Sequence, residues 1–187
     1  MAEVMPVEPV IRFCAVISRE PEIRELAIER LTENWGRIFL RSEPLPFEAG
    51  GYYAEKMGAD LRKVLVGFER PVDSADLADW KTWSNDLENE FRVGDSRYDR
   101  PLNLDPGYVT QAKLVLATTK DRDHRIYLRN GIFAEITLTY TAKRWIHHRW
   151  SYPDYRTESV ASFALGCRDR LRDWLQASQD ERRIKRP

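Results

Sequence analysis

The sequence predicts one α+β domain on a mixed or antiparallel sheet, and three observations carry that prediction. A β-branched apolar run, Pro9 to Ser18, leads into residues at helical spacing. Two alternating runs flank Asn130-Gly131, and the C-terminal part carries one long apolar helical face. At 187 residues the chain suits one sizeable core rather than two. The expected division is an N-terminal extension over 1–8, the domain over 9–177 and a charged flexible tail over 178–187.

The first element, PVIRFCAVIS, reads as a buried strand that ends at a Ser-Arg-Glu-Pro cluster. Pro21 suits a first helical turn, Ile23, Leu26, Ala27, Leu31 and Trp35 follow at helical spacing, and Gly36 supplies a left-handed cap. RIFL, from Arg37, is a second strand. Pro44 and Pro46 then force an extended loop. LRKVLVGFE is a third strand, and Asp73 or Ser74 caps a helix whose inward stripe is Leu77, Trp80, Ser84, Leu87 and Phe91, with Lys81, Asn85 and Glu88 on the neighbouring stripe. This β-α-β-β-α opening predicts a split, ferredoxin-like arrangement.

After a polar connection, RVGDSRYDRP, comes the extended turn NLDPGYV. TQAKLVLATTK fits a short helix capped by Thr110 or a buried strand, and periodicity does not separate the two. HRIYL and GIFAEITLTY form a hairpin turning at Asn130-Gly131. The closing helix, expected over 158–176, buries Val160, Phe163, Ala164, Cys167, Leu171, Trp174 and Leu175 on one face.

Thirty basic residues balance thirty acidic ones, so the bulk charge attracts neither nucleic acid nor membrane. No apolar run reaches membrane-helix length, MAEVMPVEPV lacks signal-peptide character, and a cytoplasmic location is expected. Cys14 and Cys167 occupy apolar positions far apart and read as buried free thiols. WIHHRW could stack on single-stranded nucleic acid, but a charged edge strand accounts for it, and His147 and His148 point to opposite faces of a strand. GxxxxGK[ST], GxGxxG, HExxH and CxxC are all missing, so no metal site or cofactor is named.

The densest polar stretch is TTKDRDHRIYLRNGIFAEITL, Thr118 to Leu138. A two-residue turn opposes Arg129 to Ile132, Leu128 to Phe133, Ile126 to Glu135 and His124 to Thr137, which makes His124 and Glu135 diagonal neighbours about 7–8 Å apart on one face. A histidine beside a carboxylate is an acid–base pair; the same pattern also suits a wet sheet face. In that register Arg125 lies on the opposite face, beside Tyr127. NLDPGY adds Asn103, Asp105 and Tyr108, and YPDYR places Asp154 and Arg156 just before a helix start, where Asp154 is either a cap or a ligand contact.

These blocks resemble a bacterial family known as domain of unknown function 4416, across about Val10 to Leu175. The resemblance rests on PFEAGGYYAEKMG, the helix pattern Lys81, Asn85, Leu87 and Glu88, then NLDPGY, LATTKD, HRIYL, GIFAEITL and YPDYR. The chain departs at Gly50-Gly51, where the family carries larger or polar residues. No activity comes with the resemblance; it implies that His124, Arg125, Tyr127, Glu135, Asp105, Tyr152, Asp154 and Arg156 form one polar unit.

Two functions are expected. One is a small enzyme acting on a phosphate- or carboxylate-bearing molecule, with His124, Glu135 and Asp105 as acid–base or orienting groups and Lys120, Arg125, Tyr127, Tyr108, Asp154 and Arg156 binding the ligand. Asp105 and Asp154 could alternatively hold a divalent ion. The other is a non-catalytic module that uses the same charges to recognise an anion or a partner chain. An anionic small molecule is the expected partner; the sequence names no oligomeric state.

Overall fold

Strand β1, Ile11–Ser18, is buried along its whole length, which is why its sequence, apart from Arg12 and the final Ser18, runs apolar instead of alternating. Helices cover both of its faces. The computed structural model describes residues 3, 7–47, 56–92 and 99–184, with side chains as far as residue 178. After β1 come helix α1 (Pro21–Trp35), β2 (Ile38–Arg41), β3 (Leu45–Pro46), β4 (Arg62–Phe68) and α2 (Leu77–Glu90). Then follow β5 (Asn103–Val109), β6 (Lys113–Thr118), β7 (Arg125–Arg129), β8 (Ile132–Thr141), β9 (Arg144–His147) and α3 (Glu158–Ile184).

The strands make one sheet in the order β2-β4-β1-β5-β6-β8-β7, with β3 also beside β4 and β9 also beside β8. Every pairing is antiparallel. Hence β1 and β2 run in one direction with β4 between them, while β4 and β5 run in one direction with β1 between them. On one face Leu31, Trp35, Leu77, Trp80 and Leu87 of α1 and α2 pack on Cys14, Val16, Val64, Val66, Leu104 and Val115. On the other, Val160, Phe163, Cys167 and Leu171 of α3 pack on Phe13, Ala15, Leu65, Leu114, Leu116 and Leu138. Both cysteines are buried and free.

The ambiguous TQAKLVLATTK is strand β6, entered through a turn in which Thr110 Oγ1 accepts from the Ala112 and Lys113 N–H groups at 3.0 and 2.9 Å. Helix α3 continues to Ile184, into the stretch expected as a tail, because nothing from Gln176 to Ile184 is Gly or Pro. Gly50-Gly51 with most of its loop, and most of the 92–101 connection, lie outside the described residues. Among the described residues no helix is long and apolar enough to cross a membrane.

The hairpin turns at Asn130 and Gly131, whose φ values of 55° and 73° are those a type I′ turn requires. Its register corrects the expected one. Arg129 faces Ile132, but a bulge at Leu128 makes Tyr127, not Leu128, the partner of Phe133, so that Arg125 rather than Ile126 opposes Glu135. One extra residue therefore moves Arg125 onto the face of Glu135.

The middle of the sheet depends on a close approach at Gly107, where an added Cβ would lie 2.3 Å from the Val115 carbonyl and 2.8 Å from the Phe13 ring. At Gly166 the clash is only with a mobile Leu40 methyl, at 2.7 Å. Urea denaturation is expected to show Gly107→Ala losing about 3 kcal/mol through overpacking against backbone, and Gly166→Ala staying within about 1 kcal/mol of wild type because better helix propensity offsets the clash.

Candidate functional site

Strands β5 and β6 pair only where Gly107–Val109 meets Leu114–Leu116, although β5 begins at Asn103 and β6 runs on to Thr118. Beyond that they part. Pro106 sits at the point of parting and has no N–H to offer a neighbouring strand. Along the opened stretch β5 still pairs with β1 and β6 with β8, so the sheet divides in its middle instead of fraying at an end. A pocket of about 400 Å³ occupies the division.

Helix α2 supplies the hydrogen bonds that the parted strand withholds. The Leu104 N–H donates to Glu88 Oε1 at 2.8 Å, and Lys81 Nζ donates to the Leu104 carbonyl at 2.6 Å. Lys81 and Glu88 are buried, so the stripe expected beside the apolar face turns inward with it. Arg100 Nη2 donates to Glu88 Oε2 at 2.6 Å and to Asn103 Oδ1; Asn103 Nδ2 donates to Asp105 Oδ2 at 3.0 Å. Lys81 Nζ also lies 3.6 Å from Asp105 Oδ1.

A second wall comes from the 3-10 turn Pro153–Tyr155, just before α3. Lys63 of β4, fully buried, places Nζ 2.6 Å from Asp154 Oδ2 and 3.8 Å from the centroid of the Tyr155 ring. Burial draws the Lys63 ammonium below its ordinary pKa, against the opposing pull of Asp154. Thr157, whose Oγ1 accepts from the Val160 N–H at 3.4 Å, is the residue that caps α3. Asp154 is thus the partner of Lys63.

The third wall is the hairpin and the loop before it. Arg125 Nε and Nη2 each lie 2.8 Å from Glu135 Oε2, Arg125 Nη1 donates to the Lys120 carbonyl at 2.9 Å, and Nη2 donates to Tyr152 Oη at 3.0 Å. His124 meets Glu135 directly: Nε2 is 3.1 Å from Oε2, and Nδ1 is 3.0 Å from Asp123 Oδ1. That hydrogen bond from the imidazole holds the Asp123 carboxyl below its usual range. Thr137 Oγ1 donates to Glu135 Oε1 at 3.2 Å.

Of the site residues read from sequence, Asp105, Lys120, Arg125, Glu135 and Asp154 line the pocket. His124 stands behind Glu135. Tyr127 is exposed and packs edge-on against Phe133, Tyr108 lies half-buried against the α1–α2 core, and Arg156 donates to the carbonyls of Ser151 and Arg149 at 2.8 and 3.1 Å. Sequence reasoning passed over Lys63, Arg100, Thr118, Thr119 and Tyr155. Lys63 had a signal, since a lone lysine inside the apolar run LRKVLVGF must find a buried partner. It also missed a stack: the His124 and His148 rings each stack on Trp150, at 5.1 and 4.8 Å between centroids. Among the described residues no three His, Cys, Asp or Glu side chains gather in a way that could hold a metal ion.

If Lys81 replaces a strand's hydrogen bonds, its loss leaves both the Leu104 carbonyl and part of the Glu88 charge uncompensated. Lys81→Met is expected to cost about 3–5 kcal/mol in chemical denaturation, against about 0.5 kcal/mol or less for an exposed control such as Lys113→Met. A cost near the control value for Lys81→Met would refute that role.

No curated protein and no solved structure matches the chain. The model of the family described as Domain of unknown function (DUF4416) matches it over residues 8–171, which is most of its length, and the chain belongs to that family.

Proposed function

We propose that the domain binds a small molecule bearing a phosphate or carboxylate in the divided sheet and performs acid–base chemistry on it. The observation that supports this reading is convergence: polar side chains from β5, the end of β6, the hairpin, the turn before α3 and α2 all line one pocket of about 400 Å³. Pockets of that order suit small metabolites. Thr118, Thr119 and Lys120 make a wall of hydroxyls and an ammonium, with Arg125 held to Glu135 beside them, and this is the side on which an anionic group is held.

The carboxylate best placed to act as base is Asp105. Its side chain is 28% exposed, against 7% for Asp154 and 2% for Glu135. Glu135 is linked through His124 to Asp123, whose side chain is 74% exposed, so the chain Glu135–His124–Asp123 joins the pocket to solvent and is a route for protons. One observation favours the non-catalytic anion-binding alternative. Both oxygens of Glu135 are already engaged by His124, Arg125 and Thr137, which leaves that carboxylate little capacity for a substrate.

A thermal-shift screen of phosphate esters and small carboxylates tests the binding. A ligand at a hundred times its dissociation constant adds about 2.7 kcal/mol to the unfolding free energy, which the melting temperature registers. At least one compound of these classes is expected to shift the wild type; none doing so would defeat both readings. With such a ligand in hand, Asp105→Asn is expected to keep binding within about tenfold and to abolish turnover if acid–base chemistry runs through Asp105. Binding by the wild type with no turnover of any bound compound leaves the module reading standing and removes the enzyme.

A further inference from the structure

The turn before α3 buries a hydroxyl that nothing among the described residues satisfies. Tyr155 is 3% exposed, lines the pocket, and its Oη has no hydrogen-bond partner. The ring itself is well fixed. The backbone N–H of Tyr155 donates to the Tyr152 carbonyl at 2.9 Å, and Lys63 Nζ lies on the ring face at 3.8 Å from the centroid. A buried O–H without an acceptor is unfavourable and uncommon, and a side chain held this firmly cannot turn away to find one.

Burial, and after it the negative charges of Asp105 and Asp154, push the Tyr155 phenol well above its ordinary pKa. The hydroxyl therefore keeps its proton throughout the physiological range and acts as a donor. Its surroundings select the acceptor. Lys63 is committed to Asp154, and Lys81 to the Leu104 carbonyl with Asp105 and Glu88 close by, so an anionic oxygen brought here meets carboxylates whose cations are already engaged. A neutral carbonyl or hydroxyl oxygen avoids that repulsion.

We propose that Tyr155 is the specificity-determining residue of the pocket: its hydroxyl donates to a neutral oxygen of a ligand whose anionic end lies against Thr118, Thr119 and Lys120. The proposal rests on the binding reading above and narrows it. The ligand class is a small hydroxy or carbonyl compound carrying one phosphate or carboxylate, as opposed to a bare anion.

The test compares oxygenated probes with their stripped anions by titration calorimetry on the full chain: glycerol 3-phosphate and glucose 6-phosphate against inorganic phosphate, and glycerate against acetate. Wild type is expected to bind at least one oxygenated probe more than tenfold tighter than its stripped anion. Tyr155→Phe, which keeps the ring, is expected to reduce that ratio below threefold, to leave stripped-anion affinity within twofold, and to melt at or above the wild-type temperature. The inference is overturned if Tyr155→Phe retains the preference, or if it loses the preference together with several degrees of melting temperature, since the hydroxyl would then be structural. Wild type that binds the stripped anions as tightly as the oxygenated probes overturns this inference and leaves the pocket reading intact. Wild type that binds no probe removes both.

Discussion

A sheet that divides in its middle exposes backbone polar groups where no water is available to every one of them, and each must find a partner. Here that requirement falls on the stretch of β5 from Asn103 to Pro106, which β6 leaves unpaired. Lys81 and Glu88 answer it by bonding the carbonyl and N–H of Leu104. Glu88 in turn fixes Arg100, Arg100 fixes Asn103, and Asn103 fixes Asp105 at the pocket wall. The chain of dependence runs from a missing strand pairing to the placement of a carboxylate, and α2 is tied to the sheet by polar as well as apolar contacts.

The other wall depends on a second interruption. β7 and β9 lie end to end along the same edge of β8, one paired to Ile132–Glu135 and the other to Leu138–Thr141. Between them Trp150 Nε1 donates to the Ile136 carbonyl at 2.9 Å, and Ser151 Oγ bonds the Thr137 carbonyl at 2.5 Å. The chain after β9 is pinned into that gap, with Trp150 stacked against both His124 and His148. From there it enters the turn that delivers Tyr152, Asp154 and Tyr155 to the pocket. WIHHRW thus earns its composition as an anchor for the site's neighbour.

Elements with a strong local signal were legible: β1 by its apolar run, α1 by Pro21 and Gly36, the hairpin by Asn130-Gly131. The bulge at Leu128 was not, because no side chain in RIYLR distinguishes a regular pairing from one carrying an extra residue. That single residue decided whether Arg125 reached Glu135. Asp105, Lys120, Glu135 and Asp154, which line the pocket, stand out in the sequence through a polar turn, a crowded charged hairpin and a helix start. Tyr155 was not, since an aromatic before a helix reads as core, and its unmet hydroxyl exists only in three dimensions. Lys81 and Glu88 appeared as a helical stripe; that the stripe faces an opened strand follows from Pro106 and Gly107 in β5, the next element along the chain, and from a strand parting that only the folded sheet contains.

Stability alone gives a poor account of this arrangement. Buried ion pairs recover little more than their desolvation cost, and apolar side chains of similar volume serve a core as well or better. A continuous β5–β6 ladder would satisfy Leu104 without Lys81 or Glu88, and Lys63 with Asp154 could be replaced by a pair like the neighbouring Leu65 and Phe163. The fold instead keeps Lys63–Asp154, Lys81–Glu88 and Arg125–Glu135 around one opening, with the Tyr155 hydroxyl unmatched at its wall. The groups divide by what they touch. Lys81, Glu88, Arg100 and Asn103 hold the opening apart by bonding backbone and one another, and Asp105, Thr118, Thr119 and Lys120 extend its lining. The network makes sense as the support of an opening, so the pocket, and not the buried charges by themselves, is what points to a ligand.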